Sequence, residues 1–157
     1  MTAELIAAYE TTPARLRAAV RGLTDAELKA RPGPGKWSIL EVVVHIADSD
    51  AISIDRMKRM LATDNPPLLY ADETAYVETL FTHDQDVEDA LLLLEVGRRQ
   101  FARVLRALPP EAFARTGQHN TSGTKTVGGM VQSYIDHIDG HLGFIHGKRA
   151  NLGKPIG

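Results

Sequence analysis

Trp37-Ser38-Ile39-Leu40-Glu41-Val42 opens the most tightly specified segment of the chain. Ser38 and Glu41 have the spacing of a capping box, in which cap hydroxyl and N3 carboxylate each accept the other's backbone amide. Trp37 and Val42 occupy the positions of a hydrophobic staple, which sets the angle at which the chain joins the helix. Beyond the cap, Leu40, Val44, Ala47, Ala51, Ile54 and Leu61 keep a helical 4-3 spacing, and Asn65-Pro66-Pro67 stops it. A helix of that length with one apolar stripe is stable only when the stripe is buried against other helices.

Three more segments can supply those partners. The first runs from about Ala3 to Arg21 with Leu5, Ile6, Tyr9, Leu16 and Val20 apolar, and Thr12-Pro13 either kinks it or starts a new segment. Thr24 and Glu27 repeat the capping-box spacing for a short turn, and Arg31-Pro32-Gly33-Pro34-Gly35 forces a loop. A short helix is expected around Glu73–Thr79. Asp84 or Asp86 caps the third long helix, with Val87, Leu91, Leu94, Phe101, Val104 and Leu108 along it and Pro109-Pro110 at its end. The polar, glycine-containing stretch Gly117–Lys125 reads as loop. Thr126 then caps a fourth helix reaching about Gly147, with a stripe through Met130, Tyr134, His137, His141 and Phe144. No convincing β alternation occurs. The expected fold is all-α: an up-down four-helix bundle with short helical turns in its connections, one domain over residues 1–157.

Composition narrows the chemistry. Zero Cys among 157 residues removes disulfides, thiolate nucleophiles and Cys-based zinc sites together. A formal net charge of −2 without a basic run gives no reason to expect nucleic acid. No apolar run approaches bilayer length, and the N-terminal residues lack a basic n-region and long h-region, so no membrane and a cytoplasmic location are expected. Any reaction must come from His, carboxylates, hydroxyls or a bound ion.

His137-Ile138-Asp139-Gly140-His141 puts two imidazoles one helical turn apart on one face. Buried imidazoles need partners for their nitrogens; a shared metal ion supplies one, and a metal-free polar cluster is the other reading. His45 supplies a third ligand, in a row of Glu41, His45, Asp48, Ile52 and Arg56 that is polar for a place where helices meet. Glu41 and Arg56 in that row read equally well as a solvated flank. Asp48 can orient a ligand, act as a base or simply face solvent. Ile138 stands where a zincin requires its general-base Glu, which removes that class. His83, His119 and His146 read as loop or helix-end surface residues.

Trp37-Ser38-Ile39-Leu40-Glu41-Val42-Val43-Val44-His45-Ile46-Ala47-Asp48-Ser49, then Thr126-Val127, Tyr134 and His137-Ile138-Asp139-Gly140-His141, resemble in order and spacing the DinB/YfiT-like metal-binding family. The resemblance implies a four-helix bundle, often a homodimer, with a divalent metal on His45, His137 and His141. It implies activities from metal-dependent hydrolysis to transfer onto a low-molecular-weight thiol.

Three neutral His ligands leave positions for water or a small-molecule substrate, as in catalytic sites. All-nitrogen ligation suits Zn or Ni, with Fe and Co also compatible. The leading expectation is a Lewis-acid site that activates water or a thiol cosubstrate, with Asp48 as the catalytic proton-transfer or orienting residue and Tyr134 near the pocket. The rivals are a non-catalytic metal-binding stress-response protein and a metal-free dimerisation unit.

Overall fold

The Ser38 capping box forms as its spacing predicts. Glu41 N donates to Ser38 Oγ at 3.2 Å, and Ser38 N donates to Glu41 Oε2 at 2.7 Å. In the computed structural model, which describes residues 1–155, this cap opens α3; the last two positions of the expected 1–157 domain lie outside the described residues. The helices are α1 (Ala3–Val20), α2 (Asp25–Lys29), α3 (Ile39–Ala62), α4 (Glu73–Thr79), α5 (Val87–Ala107) and α6 (Val127–Asn151). Thr24 and Glu27 complete the second capping box at α2. Asp86, rather than Asp84, caps α5, accepting from the Glu88 and Asp89 amides, and Thr126 caps α6 through the Gly129 amide.

Four long helices make the bundle. Its extensive contacts join α1 to α5 and α6, and α3 to α5 and α6, so the order around the bundle is α1, α5, α3, α6. α1 and α3 therefore sit on one diagonal and α5 and α6 on the other, crossed by the connections at 21–38 and 108–126, while α3 and α5, joined through 63–86, are neighbours. Apolar side chains form two clusters. One gathers Leu16, Ile39, Val43, Leu91, Leu94 and Ile138; the other gathers Tyr9, Met57, Met60, Phe101, Leu105 and Val131. Along α3 and α5, Asp50 and Arg98 fall between the two.

Pro13 lies inside a continuous α1 and starts no new segment. Proline lacks the N–H that would bond the carbonyl four residues back, here that of Tyr9. Arg98 Nη1 donates to that carbonyl at 3.2 Å, so the helix continues without an orphaned acceptor.

Two expectations need correction. Gly117–Lys125 is not simply loop: β2 (Thr116–His119) and β3 (Gly123–Thr126) form an antiparallel hairpin, and β1 (Pro67–Leu68) joins β2 in parallel. Strands of two to four residues are too short to display alternation, and the β1–β2 pairing joins segments far apart in the chain. Gly117 is required for packing, since a Cβ there would lie 2.9 Å from both Leu68 Cδ1 and Met60 Cγ.

The second correction concerns α6. Its buried stripe is Val131, Ile135, Ile138, Leu142 and Ile145, while Phe144 is 64% exposed. His137 and His141 therefore sit on the half-buried flank, beside the core stripe and not within it. Hydropathy alone favoured a stripe containing the aromatic residues; packing against α1 and α3 selected the aliphatic one. No helix among the described residues is long and apolar enough to cross a membrane.

Candidate metal centre

His45 lies two turns into α3, at a depth set by the Ser38 cap, and only 3% of it is exposed. Trp37 covers it, the two ring centroids being 5.1 Å apart. From α6, His137 and His141 meet it. His45 Nε2 is 3.2 Å from His137 Nε2, and His141 Nε2 is 3.0 Å from the same atom. All three ligand atoms lie within 4.8 Å of one another. The structure thus brings together the three imidazoles that the sequence singled out.

The donor set fits a cation. Burial first, then the neighbouring imidazoles, pulls His45 down to about 3. Burial, His141 and Arg98 pull His137 to about 4, and burial also lowers His141. All three rings are therefore neutral at neutral pH, the form that ligates metals. His137 Nε2 has two nitrogen neighbours, but a neutral ring nitrogen is either one donor or one acceptor. A single cation facing three lone pairs removes that mismatch. Ligation through Nε2 places each proton on Nδ1, and the Nδ1 atoms of His137 and His141 are buried without a partner among the described residues. Asp136 and Asp139 do not serve them: Asp136 accepts from Gln132 at 2.8 Å, and Asp139 pairs with Arg15.

A cavity of about 160 Å³ opens beside the cluster, with His45, Asp48, Arg56, Glu73, His119 and Tyr134 in its wall. Asp48 is half-buried there, and burial raises its carboxyl above the ordinary range. The polar row on α3 is thus largely the cavity wall. Glu41 is a correction to the solvated-flank reading. It is fully buried, holds the Ser38 amide, pairs with Arg31, and has His83 Nε2 at 3.3 Å. His146 is exposed at the surface, as expected.

Several contributors escape sequence reasoning. Glu73, the first residue of α4, places Oε2 3.8 Å from His45 Nε2, and no spacing rule links a seven-residue helix to a residue of α3. His119, read as a surface residue, lines the cavity because the hairpin folds over it.

Arg98 is the third. It is completely buried, with Nε and Nη2 donating to Asp50 Oδ1 at 2.9 and 2.6 Å and Nη2 also donating to the Tyr134 carbonyl at 2.7 Å. Its guanidinium lies 4.4 Å from the Tyr9 ring centroid. Arg98 thus ties α3 five residues beyond His45 to α6 three residues before His137, setting the register in which the imidazoles meet. Its position at helical spacing within the apolar stripe Leu91, Leu94, Phe101 and Leu105 was the available signal.

The model of the DinB superfamily matches residues 8–145. A protein of Oceanobacillus iheyensis named "putative metal-dependent hydrolase" is 30% identical over 142 residues, 90% of this chain and 82% of that protein. Bacillus subtilis YfiT, with the same description, is 30% identical over 141 residues, 89% of this chain and 79% of its own length. The solved structure of YfiT, described as a "probable metal-dependent hydrolase with an unusual four-helix bundle topology", superposes with a TM-score of 0.90 at 28% identity, covering 98% of this chain and 90% of that one. A mycothiol-dependent maleylpyruvate isomerase shares the fold at TM-score 0.69 and 12% identity, over 88% of this chain and 58% of the isomerase.

Proposed function

The chain belongs to the DinB superfamily, and from that premise we propose that it is a metal-dependent enzyme whose ion is held by His45, His137 and His141. The observation that carries this reading is the convergence of three neutral Nε2 atoms within 4.8 Å of one another beside a cavity. A divalent ion, Zn or Ni before Fe or Co, supplies Lewis-acid activation there, lowering the pKa of a nucleophile that is either water or a low-molecular-weight thiol.

The protein's own groups do the rest. Trp37 and the α3 cap hold His45 at one orientation, and Arg98 holds the register of the other two rings. Asp48 accepts the proton that the nucleophile releases; its raised carboxyl lies closer to neutrality than an exposed Asp, which suits a base that must also give the proton back. Tyr70 and Tyr76, both partly exposed, add aromatic surface to the cavity wall. The names of the relatives support hydrolysis as the first reaction to test, with amides and esters as the probe substrates.

Elemental analysis of untagged protein tests the site, with about one ion per chain expected in the wild type and none in His137→Ala. Failure of the wild type to take up added Zn or Ni defeats the proposal. Asp48→Asn should keep the ion and lose roughly 100-fold or more in turnover on any substrate found. Full metal occupancy with no turnover across amides, esters and thiol-acceptor pairs would instead favour a metal-binding protein without catalysis.

A further inference from the structure

The cavity beside the three imidazoles does not end there. Arg56, His119 and Tyr134 line both it and a second cavity of about 420 Å³, whose wall continues through Ser122, Lys125 and Ser133. The two ends differ in charge. Asp48 and Glu73 lie toward His45, whereas Arg56, Lys125 and a set of hydroxyls lie toward the hairpin.

Arg56 is the unusual member. Arg17, Arg31, Arg98 and Arg115 each hold a carboxylate. Half-buried Arg56 has no acidic side chain within ion-pair distance among the described residues, although Asp48 and Glu73 share its cavity. Glu73 leans instead toward His45. One N–H of Arg56 donates to the Leu69 carbonyl and the Tyr134 hydroxyl lies beside the guanidinium, which anchors it while the five-donor fork keeps further N–H groups for a ligand.

His119 adds a neutral donor. Its Nδ1 accepts from the amides of Thr121 and Ser122 at 3.3 and 3.4 Å, which puts the ring proton on Nε2. Burial, then the charges of Arg56 and Lys125, keeps this ring from becoming a cation. A half-buried guanidinium without a counter-ion, next to a neutral N–H donor, a lysine and hydroxyls, is a receptor for an oxyanion.

We propose that the substrate is a small molecule carrying a carboxylate or phosphate at the end remote from its reacting group, and that Arg56, assisted by His119 and Lys125, binds that anion. The assignment rests on the metal-site reading for which end reacts, but the anion site itself is built without any metal ligand. Arg56 is here a specificity-determining residue: it selects charged over neutral substrates and sets which way round they lie.

Calorimetric titration of the full chain with phenylpropionate, phenyl phosphate and neutral phenylpropionamide tests this, using both zinc-loaded and metal-stripped protein. One anion should bind roughly tenfold or more tighter than the amide, in both preparations, and the tighter of the two names the group. Arg56→Met should erase the preference while leaving zinc uptake unchanged. Arg56→Lys should restore part of it, because the charge returns without the planar fork.

If Arg56→Met fails to fold by circular dichroism, Lys125→Met at the cavity rim takes its place and should reduce the preference by roughly threefold. No preference in the wild type, a preference lost on stripping the metal, or a preference unchanged in the variant overturns the proposal. Absence of zinc uptake in the wild type would defeat the metal reading alone, and the stripped-protein titration still decides the anion site.

Discussion

Two polar clusters interrupt the apolar interior of this bundle, and they are built on opposite principles. Around Arg98 the opposite charges meet inside the structure: a guanidinium faces the Asp50 carboxylate, two backbone carbonyls and the Tyr9 ring, and only Asp50 Oδ2 and the Tyr9 hydroxyl are left without a hydrogen-bond partner among the described residues. Around His137, less than two helical turns away along α6, three acceptor-capable nitrogens face one another, and no cationic side chain among the described residues is hydrogen-bonded to them. The first cluster is closed in charge, Arg98 against Asp50, and holds the helices. The second is open and needs a ligand to be satisfied. What separates the two is whether the charge that balances the buried group belongs to the same chain.

The largest expected effect comes from breaking the closed cluster. Arg98→Met leaves Asp50 buried without its counter-charge and frees the Tyr9 carbonyl opposite Pro13, so urea unfolding should report a loss of about 3–5 kcal/mol. A loss below about 1 kcal/mol would mean that the pair is not the clamp between α3 and α6.

The open cluster should behave the other way. Without metal, His137→Ala should unfold within about 1 kcal/mol of the wild type, because the ring it removes is half-buried with an unpartnered Nδ1. With zinc at a hundred times its Kd, the wild type alone should gain about 2.7 kcal/mol. Equal thermal shifts in the two proteins would erase the distinction between the clusters.

Glu41 sharpens the contrast with the smallest effect, being closed like Arg98 but close to solvent through Arg31 and His83. Burial works to raise its carboxyl, yet the Arg31 guanidinium and the Ser38 amide and hydroxyl hold it below the ordinary value of 4.5. A folded value depressed in this way stabilises fully above that ordinary value, and the contribution is lost as pH falls through the lowered one. Glu41→Gln should therefore cost about 1 kcal/mol at neutral pH and flatten the acid limb of a stability–pH curve. An unchanged acid limb would show that the carboxylate is not held in its charged form.

Much of this molecule was legible in advance because capping and helical periodicity are local. Ser38 and Glu41, Thr24 and Glu27, and Thr126 report their helix starts within four residues of chain. The His pair on α6 and His45 on α3 were likewise visible as chemistry-bearing residues at helical spacing. The hairpin was not, because β1 and β2 are about fifty residues apart and each is too short to carry a pattern. Glu73 and His119 escaped for the same reason, since connections bring them to the cavity. Arg56 was placed correctly in a row on α3, but its missing counter-ion is a property of everything around that row.

By itself the sequence determined the four long helices, their caps, the absence of any cysteine of its own and the three imidazoles that could share an ion. Those follow from residue types and spacings within single helices. Only the tertiary structure decided that α1 and α3 lie on a diagonal, that the apolar stripe of α6 is the aliphatic one, and that three Nε2 atoms converge. It also separated the closed Arg98 cluster from the open His137 cluster, because satisfaction of a buried polar atom is settled by neighbours distant in the chain.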